Sequence, residues 1–143
     1  MIWLIAQPDE LGVDIARRLR HSHQMQEAIK DGIQLLGELP KLAELPISRI
    51  VTRLDEIAAP VLYAVYCLKP SAAASQILEQ YLTCWRKIQP VTKGYDLHAF
   101  GLPPGPAYRQ ILWALRSAWL DGKISTAEQE AALLRQMLPA QER

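Results

Sequence analysis

Between Lys93 and Pro106 the chain reads Lys-Gly-Tyr-Asp-Leu-His-Ala-Phe-Gly-Leu-Pro-Pro-Gly-Pro, with three glycines and three prolines in fourteen residues. Proline removes a backbone donor and fixes φ, and glycine is the residue that turns most freely, so no long helix or strand crosses this stretch. Strong helical patterns adjoin it on both sides. Upstream, Ile77, Leu78, Tyr81, Leu82 and Trp85 recur at helical spacing; downstream, Tyr108, Ile111, Leu112, Leu115 and Trp119 do the same. Pro90 predicts the end of the first helix. Pro106 suits the first turn of the second, where a missing N–H costs nothing. Between them the sequence predicts one helical turn, Tyr95 to Ala99, stopped by Gly101 in a left-handed cap.

This layout has a chemical consequence. A glycine before a helix lets another backbone come close, and the N–H groups of the first helical turn carry partial positive charge outward. Such a helix start can hold an anion. Arg86, Lys87, Lys93, Arg109, Arg116 and Lys123 surround it. From Gln80 to Ser125 these six cations face only Asp96 and Asp121, a local charge of +4, whereas residues 1–79 carry −2 and residues 126–143 carry −1. The whole chain is only +1. Positive charge gathered in one place points to a local partner such as a phosphate backbone. The expected site has phosphates near Gly105 and the N–H groups of Ala107, Tyr108 and Arg109, flanked by Lys93 and Arg116. Arg109 and Arg116 are seven residues apart and share a helix face with Trp113 between them. That face can pair phosphate contacts with a stacking surface. The structural alternative packs Trp113 on the rest of the chain and leaves the arginines solvated.

At 143 residues, half of them hydrophobic, the chain is long enough for one globular domain or two small helical subdomains sharing a core. We read residues 1–89 as a helical body and 90–143 as a helical tail carrying the Gly/Pro turn. No segment alternates like a strand, and the breakers fall at helical intervals, which predicts an all-α bundle of about seven helices. Pro8-Asp9-Glu10 starts a helix lined by Leu11, Ile15 and Leu19. Ser22 caps a second, with Met25, Ile29, Ile33 and Leu36 inward, ended by Gly37 and Pro40. A third opens at Pro46-Ile47-Ser48 and buries Ile50, Val51, Leu54 and Ile57. A fourth, Val61 to Leu68, is apolar almost all round and is expected to be the most buried, with Tyr63 and Tyr66 in the core. Ser71 caps a fifth that reaches Trp85. After the Asp121-Gly122-Lys123 stop, Ser125 with Glu128 or Thr126 with Gln129 can form a capping box, and Leu133, Leu134, Met137 and Leu138 line the last helix before Pro139. Trp85 and Trp119 are expected to be largely buried, and Trp113 less so.

The bland features are also informative. Cys67 and Cys84 have no Cys-x-x-Cys spacing and read as reduced, buried thiols of a cytoplasmic protein. The basic run Arg17, Arg18, Arg20, His21 and His23 can touch RNA, but it also suits a solvated helix end, with Asp9, Glu10 and Asp14 close by. His21-x-His23 has no third ligand type nearby, so no metal site is expected. Met1 to Ala6 is apolar but too short to span a membrane, lacks the features of a signal peptide, and reads as the cut end of a helix in something longer.

The motifs of the second half resemble a known family. They are Tyr81-Leu82-x-x-Trp85-Arg86-x-x-x-Pro90, then Gly94-x-Asp96-Leu97-x-x-x-Gly101-Leu102-Pro103-Pro104-Gly105-Pro106, then Ile111-Leu112-x-x-Leu115-x-x-Ala118-x-Leu120-Asp121-Gly122. Together they are similar to the C-terminal body and tail of bacterial tRNA nucleotidyltransferases, the CCA-adding, A-adding and poly(A) polymerase-like enzymes. The match is specific from about Tyr81 to Glu130. From Met1 to Ser75 it is looser, resting on helix order and on Ser48-x-x-x-x-x-Leu54-Asp55. The resemblance implies an all-helical body and tail that hold tRNA, beside an N-terminal catalytic head of the same parent chain that uses magnesium with ATP and CTP. It departs at Arg109, where the family usually has glycine; arginine there either blocks close backbone approach or adds a phosphate contact of its own.

The chemistry of nucleotidyl transfer is missing. It needs paired carboxylates to hold a divalent metal, in this family an Asp-x-Asp after a glycine-rich turn. Asp9-Glu10 and Asp55-Glu56 are adjacent on helices and point in different directions. No Walker loop, nucleophile elbow or triad spacing is present. The chain by itself is therefore expected to have no catalytic residues, metal or cofactor, and the implied head lies N-terminal to Met1. Two other readings suit the same residues. One is a helix–hairpin–helix module gripping DNA backbone through Gly-Leu-Pro-Pro-Gly. The other is a helical interaction scaffold in which that stretch is a rigid connector.

Overall fold

The computed structural model describes residues 22–138, together with Ile2, Asp14 and Ile15. Between residues 22 and 138 seven α-helices follow one another: α1 His23–Leu42, α2 Ile47–Asp55, α3 Ala59–Cys67, α4 Ala72–Thr83, α5 Gly94–Ala99, α6 Pro106–Leu120 and α7 Ala127–Met137. A 3-10 turn, Trp85–Lys87, lies between α4 and α5. No strand occurs among the described residues, which are all-α as the periodicity predicts. It separates into two compact units, Met1–Arg86 and Lys87–Arg143. Of the expected first helix only Asp14 and Ile15 are described, and both are helical; Leu11, Leu19, Arg17, Arg18, Arg20 and His21 lie outside the described residues, as do most of Met1 to Ala6 and Pro139.

In the first unit α1 packs on α3 and α4. Ser22 caps α1 by accepting the Met25 N–H at 3.3 Å. The helix then continues through Gly37 and Pro40 to Leu42, past the stop expected there. The reason is packing. Leu35, Leu39 and Leu42 extend the buried stripe by two more turns. Pro40 removes one hydrogen bond close to the helix end, and the burial of Leu39 and Leu42 outweighs that loss. α2 buries Ile50, Val51 and Leu54 as its pattern predicts, and Ile57 follows them inward. Arg53 Nε donates to Glu38 Oε2 at 2.8 Å and ties α2 to α1, and that bond holds the Glu38 carboxyl below the usual carboxylate range.

The expectation that α3 is the most buried helix, with Tyr63 and Tyr66 in the core, is corrected. Val61, Leu62, Ala64 and Val65 are buried, but Tyr63 is 53% exposed, Tyr66 is half-buried and Cys67 is exposed. Tyr63 and Cys67 are four residues apart and share the outward face, so an apolar composition does not remove a helix from solvent on both sides. Cys84, at the end of α4, is exposed as well, and both thiols are free, not buried as expected. Ser71 caps α4 by accepting the Ala74 N–H at 3.1 Å. Ile77, Leu78 and Tyr81 point inward, and the Tyr81 hydroxyl donates to Asp55 Oδ1 at 2.7 Å. α4 stops at Thr83, short of Trp85, which sits half-buried in the 3-10 turn.

The second unit is built on Leu97, Leu115 and Leu134, one from each of its three helices, with Leu102, Tyr108, Ile111, Leu112, Leu133 and Met137 packed around them. Two glycine stops set its connections. Gly101 has φ +80°, and its N–H reaches the His98 carbonyl at 2.9 Å while the Leu102 N–H reaches Leu97 at 3.3 Å. This is the paired bonding of a Schellman cap, and it ends α5 where the sequence predicts. Gly122, φ +68°, closes α6 in the same way, with Gly122 N–H on the Trp119 carbonyl at 3.2 Å and Lys123 N–H on Ala118 at 2.9 Å. α7 is capped by Thr126, whose Oγ1 accepts the Gln129 N–H at 3.3 Å, while Gln129 Oε1 reaches one residue past the cap to accept the Ser125 N–H at 2.7 Å.

Candidate functional site

A carboxylate that sequence reasoning missed holds the site together. Glu130, in the first turns of α7, is only 1% exposed. Its Oε1 accepts the Thr92 N–H at 2.7 Å and the Thr92 hydroxyl at 2.5 Å, and its Oε2 accepts the Val91 N–H at 3.0 Å. The Trp119 indole N–H donates to Oε2 as well. Burial pushes the Glu130 carboxyl up, and the bonds from Thr92, Trp119 and Val91 outweigh burial, so its pKa falls below the ordinary value. Trp119 is partly buried, and its indole N–H finds its partner in this carboxylate. The signal was present in the sequence, because Glu130 stands one turn before Leu134 on the inward stripe of the last helix.

Glu130 thereby pins the segment leading from the 3-10 turn into α5, and two of the expected cations are turned onto this segment. Lys93 Nζ donates to the Pro90 carbonyl at 3.0 Å, and the Lys93 N–H donates to Asp96 Oδ2 at 2.7 Å. Arg116 Nε donates to the Ile88 carbonyl at 2.9 Å, and the residue is half-buried. Arg116 therefore fastens α6 to the segment as well as carrying charge. Tyr108 is tied down too, its hydroxyl donating to the Leu102 carbonyl at 2.8 Å.

Between this segment and α6 lies a groove of about 510 Å³ lined by Gln89, Pro90, Thr92, Lys93, Gly94, Gly105, Tyr108, Arg109, Leu112, Trp113 and Arg116. It brings together six of the expected site residues, Lys93, Gly105, Tyr108, Arg109, Trp113 and Arg116. The other four do not line it. Arg86 belongs to the first unit, Lys87 ends the 3-10 turn, Gly101 serves as the cap of α5, and Lys123 lies 3.9 Å from the Asp121 carboxylate. Arg109 is exposed and Trp113 is 42% exposed.

Two details of the backbone bear on the expected anion site. Of the three N–H groups expected at the anion site, that of Tyr108 is turned back onto the Gly105 carbonyl at 3.1 Å. Gly105 has φ 174°, an extended backbone open to any residue, and a Cβ placed there meets only the Pro103 carbonyl oxygen at 3.9 Å. The protein's own packing does not demand glycine at this position. Among the described residues no group of three His, Cys, Asp or Glu side chains is placed to hold a metal, and no helix is long and apolar enough to cross a membrane. No protein-family model matches the chain, and no curated protein or solved structure matches it significantly.

Proposed function

We propose that the chain is an RNA-holding body and tail of the tRNA nucleotidyltransferase type, which grips tRNA through the groove of its second unit. The carrying observation is the groove wall itself: Lys93, Arg109 and Arg116 line it with the Trp113 indole, and among the described residues no carboxylate does. Such a wall favours a polyanion that also offers aromatic rings. The motif resemblance from Tyr81 to Glu130 supports tRNA as that polyanion. On this reading nucleotide addition belongs to the implied catalytic head with its magnesium, ATP and CTP.

The test is a titration of the full chain with tRNA and with a DNA duplex of equal length at several salt concentrations. Arg109→Ala is the informative variant, because Arg109 is exposed while Arg116 also holds the Ile88 carbonyl. The expected result is tighter binding of tRNA than of duplex, with Arg109→Ala weakening it and lowering the salt slope by about one unit. A preference for the DNA duplex would favour the helix–hairpin–helix reading. Equal binding by wild type and variant, with one slope, would place any RNA contact elsewhere.

A further inference from the structure

The groove of the second unit divides its chemistry by depth. Pro90 is buried and Leu112 and Tyr108 are half-buried, whereas Lys93, Arg109 and Trp113 remain exposed. An apolar interior thus lies beneath a cationic edge that carries an indole. Arg109 and Trp113 are four residues apart on α6, so they stand one above the other on one helix face.

A paired helix can use only part of this. Along its length its phosphates can meet Arg109 and Lys93, but its bases are stacked on one another and offer no ring face to an indole. An unpaired nucleotide offers both, a flat ring for Trp113 and the half-buried apolar residues, and a phosphate for the cations. The volume, about 510 Å³, falls within the range of roughly 300–1,000 Å³ usual for sites that enclose a small ligand. We infer that the groove seats one unpaired RNA nucleotide, its base laid on the Trp113 indole and its phosphate held by Arg109 and Lys93; this rests on the RNA-binding reading above and names the part of the RNA that the groove selects.

The experiment compares two RNAs that differ only in pairing: a blunt RNA hairpin, and the same hairpin with a short single-stranded 3′ overhang. Both are titrated against the full chain, Trp113→Leu, Trp113→Phe and Arg109→Ala, with thermal melts run on every variant. The overhang is expected to tighten binding at least about fivefold, as one stacked base does. Trp113→Leu should abolish that gain and Trp113→Phe should keep part of it, each read as the ratio of overhang to blunt affinity for the same protein. Arg109→Ala should weaken both RNAs. If wild type holds the blunt and overhang RNAs equally, or if the overhang preference survives Trp113→Leu, the groove does not seat an unpaired nucleotide although RNA is bound. If neither RNA nor intact tRNA binds, the RNA-binding reading falls together with this inference.

Discussion

Glu130 shows how one side chain can organise a small unit. A buried carboxylate is costly unless its oxygens are satisfied, and here Thr92, Val91 and Trp119 satisfy both. Glu130→Gln puts an amide NH₂ against backbone N–H groups on one side, so it should destabilise the fold by roughly 1–3 kcal/mol, the cost of an unsatisfied buried donor. Chemical denaturation of wild type and variant measures this. The sign of the pH dependence follows from the lowered pKa. The folded value lies below the unfolded one, so the stabilisation is complete above the ordinary glutamate value of about 4.3 and is lost as pH falls through the folded value. The midpoint difference between wild type and Glu130→Gln should therefore be constant near neutral pH and shrink on acidification below about 4.3. A difference that grows with acid would contradict this assignment.

The turns between elements separate glycines that the backbone requires from those it does not. Gly101 and Gly122 both have positive φ and complete the caps of α5 and α6. Gly101→Ala should destabilise by about 1–2 kcal/mol, the cost of a left-handed conformation for a residue with a Cβ. Gly105→Ala should change stability by less than about 0.5 kcal/mol, because the backbone there is extended and the Cβ has room. Thermal melts of the two variants provide the comparison. A further titration with tRNA tells whether Gly105 matters to a ligand: weaker binding by a stable Gly105→Ala protein would show that RNA backbone approaches where the chain itself leaves space.

At the scale of the whole molecule the charge is segregated. A chain of net charge +1 concentrates +4 between Gln80 and Ser125 and leaves the remainder slightly acidic. This suits a chain that holds a polyanion at one place rather than over its full surface. On the proposed reading it binds without doing chemistry: supplied with tRNA, ATP, CTP and magnesium, the purified chain should leave the 3′ end unchanged. Electrophoresis of the tRNA at single-nucleotide resolution tests this, and any template-free extension would reveal a metal site formed by carboxylates that the sequence spacing does not pair.

Local chemistry determined the course of the backbone. Ser22, Ser71 and Thr126 cap helices because their hydroxyls accept exposed N–H groups three residues on, Gly101 and Gly122 stop helices because they enter left-handed conformations, and Pro106 begins one because its missing donor is not needed. These effects act within one or two turns and can be read from neighbouring residues. The all-α class follows from them, and so does the grouping of Arg109, Trp113 and Arg116 on one helix. What only the tertiary structure decided involves residues far apart in the chain. The burial of Leu39 and Leu42 carries α1 past Pro40, and the limited contact surface of α3 leaves Tyr63 and Cys67 exposed. Glu130 reaches back to Val91 and Thr92, and Arg116 reaches back to Ile88. Periodicity gives the direction of a side chain around its own helix but not the element that meets it, and the groove exists only where the two meet.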